Sequence, residues 1–79
     1  MDASGGDPFK KLNDRELQIT DMFVKGADPK EIARNIHLSI NTINTYRHLI
    51  LKKLGLKNIV ELTHYAIKHK LVDEAVDFV

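Results

Sequence analysis

The chain has 79 residues and a formal net charge of +1, with 43% apolar and 29% charged side chains. That length allows one small core and no second domain, in a size range where only about 60% of the unfolded surface is buried. Cysteine is absent, which excludes disulfides, thiolate metal sites and thiol nucleophiles. Apolar runs are only a few residues long, so no membrane span or signal-peptide core fits and the chain reads as soluble and cytoplasmic.

Residues 1–8 have no periodicity and read as a flexible lead-in or linker remnant, with the ordered domain expected over 9–72 and a C-terminal tail over 73–79. The first helix is expected over residues 14–25. Asn13 caps it, Glu16 reaches back in a capping box, Leu12 and Leu17 occupy the staple positions, and Gly26 ends it. Asp28, Pro29 and Glu31 repeat this grammar and open a short second helix over 29–36. His37 and Leu38 leave room only for a turn. Ser39 then caps a third helix running to Leu54 and closed by Gly55, and Asn58 with Glu61 opens a fourth that ends near His69. The fold class is therefore all-α, a compact four-helix domain without strands.

Charge is distributed unevenly along these elements. Residues 39–70 carry Arg47, Lys52, Lys53, Lys57, Lys68 and Lys70 against the single carboxylate of Glu61. A concentrated cationic surface suits a polyanion, since neutralised phosphates release counterions.

At 100° per residue the third helix divides into two faces. Ile43, Tyr46, Ile50 and Leu54 fall together and should face the core. Asn41, Asn44, Thr45, His48 and Lys52 fall on the opposite side, which bears amide, hydroxyl, imidazole and ammonium groups and no carboxylate. Such groups hydrogen-bond base edges and phosphates, and a helix fits the width of a major groove. Apolar Ile32, Ala33, Ile36, Leu38, Ile43 and Tyr46 flank the short turn between the second and third helices, a helix-turn-helix pattern.

These residues resemble the LuxR/FixJ-type helix-turn-helix family, and the response-regulator branch most. The matching text is Leu12-Asn13-Asp14-Arg15-Glu16, Gly26, Glu31-Ile32-Ala33, Leu38-Ser39, Thr42-Ile43-Asn44-Thr45-Tyr46, Lys53-Leu54-Gly55-Leu56 and Asn58. The resemblance implies a domain that binds double-stranded DNA sequence-specifically, as the output half of a two-component transcription regulator or as a free-standing small regulator. It implies base reading by Asn44, Thr45 and His48, and backbone contacts by Ser39, Thr42, Arg47, Lys52, Lys53 and Lys30. Pairing of two copies through the fourth helix would use Val60, His64 and Ile67, and RNA polymerase is a further partner of such regulators. Asn44 stands where the family usually has lysine, Tyr46 where histidine is frequent, and Ile59 where arginine is frequent.

Other readings of the same residues are weaker. His64 and His69 are five apart and point away from each other on a helix, so no metal is expected. Ser39, Glu16, Glu31 and Glu61 are accounted for by capping, so no enzyme chemistry and no cofactor is expected. The rival from another class is a protein-interaction module that presents the same helical surface to an acidic partner.

Overall fold

A computed structural model describes residues 9–69. The readings made for residues 1–8 and for the tail at 73–79 lie outside the described residues. The described chain forms four helices, α1 (Asp14–Val24), α2 (Pro29–Ile36), α3 (Ile40–Leu54) and α4 (Ile59–Lys68). Among the described residues there is no strand.

Local chemistry sets each boundary. At α1 the Asn13 side chain accepts from the Glu16 amide at 2.8 Å and the Asn13 amide donates to Glu16 Oε1 at 2.9 Å, so both halves of the capping box form. Asp28 accepts from the Glu31 amide at 2.8 Å with Pro29 in the first turn. The return half of the box is not formed there: among the described hydrogen bonds the Asp28 amide does not donate to the Glu31 carboxylate in this exposed turn. At α4 Asn58 caps the Glu61 amide at 2.9 Å, but Glu61 returns to the amide of Lys57, one residue before the cap.

Chain reversal after α2 is carried by His37, whose φ of 60° places a non-glycine residue in the left-handed region. Histidine tolerates this region better than β-branched residues do. Its amide and that of Leu38 both close on the Ala33 carbonyl, which leaves a three-residue turn ahead of α3. Gly55, at φ 72°, ends α3 in the same conformation without a side chain to strain it.

The core collects Phe9, Leu12, Ile19, Phe23, Ile32, Ala33, Ile43, Ile50, Leu51, Leu62 and Ala66. Helix α1 packs against all three others, and α2 packs against α3. Ile43 and Ile50 are wholly buried, as their place on the wheel requires, whereas Tyr46 and Leu54 only border the core and Leu51 enters it instead. Thr20 is also fully buried in α1. At the start of the described chain Phe9 meets Tyr65 of α4 edge-on at 5.4 Å, and Tyr65 contacts the His69 ring at 4.4 Å.

Candidate nucleic-acid interface

Burial of Ile43 and Ile50 fixes the rotation of α3, and with it the face turned to solvent. Asn41, Thr45, His48 and Lys52 are exposed and Asn44 is half-buried. The five therefore share an open surface that holds no carboxylate, because residues 39–60 contain neither Asp nor Glu.

Hydrogen bonding narrows what these groups offer. The Thr45 hydroxyl donates to the Asn41 carbonyl at 3.0 Å, so its proton is spent within the helix and its outward chemistry is a lone pair and a methyl group. Ser39 Oγ accepts from the Thr42 amide at 3.0 Å and lies 2.9 Å from the Thr42 hydroxyl. That pair forms a small polar knuckle at the N-terminus of α3, where the amide ends and the helix dipole favour an anion. Among the described residues the Asn44 and His48 side chains make no hydrogen bond, so their donors and acceptors face outward unengaged there.

The backbone candidates separate on inspection. Lys30 is exposed on the first turn of α2, and Lys52 is exposed near the end of α3. Arg47 is half-buried and forms no ion pair with a carboxylate among the described residues. It lines, with His48, Leu51, Lys57, Asn58 and Ile59, a shallow cleft of about 170 Å³ between the end of α3 and the start of α4.

Lys53, expected at the phosphate backbone, also has a partner inside the domain. Its ammonium lies 2.8 Å from both carboxylate oxygens of Glu16, which is only 4% exposed at its side chain. Held this way, the ammonium ties the start of α1 to the end of α3, while the Lys53 side chain stays 37% exposed. Burial pushes the Glu16 carboxyl up, but hydrogen bonds from Lys53 and the Asn13 amide, with the attraction of the ammonium, outweigh it and hold the group below its ordinary value. Capping alone is what the sequence around Glu16 announces. Its partner is 37 residues away in the chain, and no local spacing announces a pair of that kind.

On α4, Val60, His64 and Ile67 fall on one stripe at the i, i+4, i+7 spacing. Val60 is 64% exposed, His64 is exposed and Ile67 half-buried. The stripe is thus open to solvent at the end nearer α3.

Residues 10–66 match the family model described as bacterial regulatory proteins, luxR family. The chain belongs to that family. Its helix-turn-helix is a DNA-binding module of transcription regulators, and α2, the His37–Ser39 turn and α3 supply it here. The family is regulatory rather than enzymatic. Similar proteins include the oxygen regulatory protein NreC of Staphylococcus aureus strain bovine RF122 / ET3-1 and its counterpart in strain MRSA252. Each is 44% identical over 71 residues, which is 90% of this chain and 33% of the relative. The chain therefore spans about a third of the length of these relatives. Among the described residues, no helix is long and apolar enough to cross a membrane.

Proposed function

We propose that this luxR-type domain binds double-stranded DNA sequence-specifically in the bacterial cytoplasm, as the output domain of a two-component response regulator. The observation that carries the reading is the outward face of α3, where exposed Asn41, Thr45, His48 and Lys52 and half-buried Asn44 lie opposite wholly buried Ile43 and Ile50. In the major groove Asn44, Thr45 and His48 meet base edges. Asparagine pairs best with adenine, Thr45 accepts or offers its methyl group, and His48 donates or accepts according to tautomer.

Ser39 and Thr42 at the start of α3, with Lys30, Arg47 and Lys52, grip the phosphates and set the register. With Lys53 engaged by Glu16, three cations of the set remain per subunit, so a dimer's log affinity should fall with log salt at a slope of about −5. The Val60, His64 and Ile67 stripe pairs two copies and places two recognition helices on successive faces of the duplex. RNA polymerase is the further partner such a regulator engages. The likeness to an oxygen regulatory protein supports a regulatory role.

Selection from random duplexes tests the reading. The chain should enrich paired half-sites at a fixed spacing, and Asn44→Ala or His48→Ala should relax the preference at one position each while helical content is kept. Enrichment of no sequence would overturn it.

A further inference from the structure

Most exposed groups on the outward side of α3 are polar, but Leu49 is not. It is 44% exposed although it lies in the middle of a helix whose inward positions Ile43 and Ile50 are completely covered. At 100° per residue Leu49 stands about 40° from Thr45 and about 60° from Lys52, at the edge of the face that carries Asn41, Asn44 and His48. One turn separates it from Thr45, a rise of about 6 Å. Of the other large exposed apolar residues, Ile40 stands in the first turn of α3 about 40° from Asn44, at the opposite edge of the same face, and Val60 belongs to the stripe on α4.

An apolar side chain beside a row of amide, hydroxyl and imidazole groups is complemented by an apolar group on the partner those groups bind. In the major groove that counterpart is the thymine 5-methyl group, which apolar side chains contact and which distinguishes thymine there. We propose that Leu49 is a specificity-determining residue that packs against a thymine methyl in the major groove, within about two base pairs of the base met by Thr45. The inference rests on the DNA reading proposed above and deepens it. It adds an apolar contact to a recognition surface made mostly of hydrogen-bonding groups. It also explains why a leucine stays uncovered in a domain with so little core: its cover is supplied by the duplex.

The test uses a duplex enriched by the 79-residue chain, in which each thymine is replaced in turn by deoxyuridine so that only the methyl group is lost. At one position per half-site the unaltered protein should lose about fourfold in affinity, the worth of one buried methyl group. Leu49→Ala should bind more weakly but show no loss at that position, and Leu49→Met, which keeps an apolar reach, should retain the loss. Helical content should be the same in all three, since the residue is exposed. A uniform response to deoxyuridine in the unaltered protein would overturn the proposal. So would a loss that persists in Leu49→Ala and disappears in Thr45→Ser, which would give the methyl contact to Thr45. Enrichment with either of these results would leave the DNA reading standing; failure to enrich any sequence would overturn both.

Discussion

Lys52 and Lys53 are adjacent in the chain and identical in chemistry, yet they belong to two different regions of the molecule. Lys52 stands on the outward face of α3 with no carboxylate near it, while Lys53 is drawn across to Glu16 and closes the α1–α3 junction at 2.8 Å. A step of one residue rotates a helical side chain by 100°, enough to move a cation from solvent to a nearly buried carboxylate. The contrast shows that a count of basic residues overstates the surface available to a polyanion. Which cations are free is settled by the packing of the helices beneath them.

The largest effect should come from the layer that sets this rotation. Ile50→Ala removes a wholly buried side chain from α3 and should cost about 2–5 kcal/mol, read as a lowered urea midpoint. For a domain of this size, that would erase much of the stability. A cost within 0.5 kcal/mol would mean that α3 is not anchored through this face.

Breaking the junction should come next. Lys53→Met or Glu16→Gln should each cost about 1–3 kcal/mol, less than a fully enclosed pair because Lys53 remains partly exposed. The pair also has a pH signature. The folded carboxyl of Glu16 sits below its ordinary value of 4.5, so the folded state holds fewer protons than the unfolded state in that window. The stabilisation is therefore complete above the ordinary value and is lost as pH falls through the folded one. Unfolding followed at pH 7 and at successively lower pH should show the unaltered protein and Glu16→Gln converging in acid. A constant gap would contradict the pair.

The smallest effect on stability, and the sharpest contrast, should be that of Lys52→Met. Its folding free energy should stay within about 0.5 kcal/mol of the parent, as for an exposed surface change. Its salt dependence of DNA binding should nonetheless flatten by about 0.9 in slope per subunit, whereas Lys53→Met should leave the slope unchanged. Equal slopes for the two variants would dissolve the distinction between the regions.

How much of this was legible in the sequence follows from the range of each interaction. Asn13, Asp28, Ser39 and Asn58 cap amides three residues away, so the helix starts could be read from neighbouring residues, and the helices begin where the caps require. The outward face of α3 was legible for the same reason, since a helical period converts spacing into direction. What spacing could not supply was the identity of the facing element. Leu51 is buried by its neighbours despite lying off the centre of the apolar face, Tyr46 is left at the border, and Lys53 is claimed by a carboxylate on another helix. Leu49 is legible in part, because the wheel places an apolar residue there away from the inward arc. Its exposure is what gives that placement meaning.

The most direct measurement is the amide spectrum of the isotope-labelled chain titrated with the enriched duplex. The account predicts that the signals of Asn41, Asn44, Thr45, His48 and Lys52 move together, with those of Ser39 and Thr42, while Ile19 and Leu62 in the core stay in place. Signals on the outward face of α3 that remain still as duplex is added, or shifts confined to α1, would contradict it.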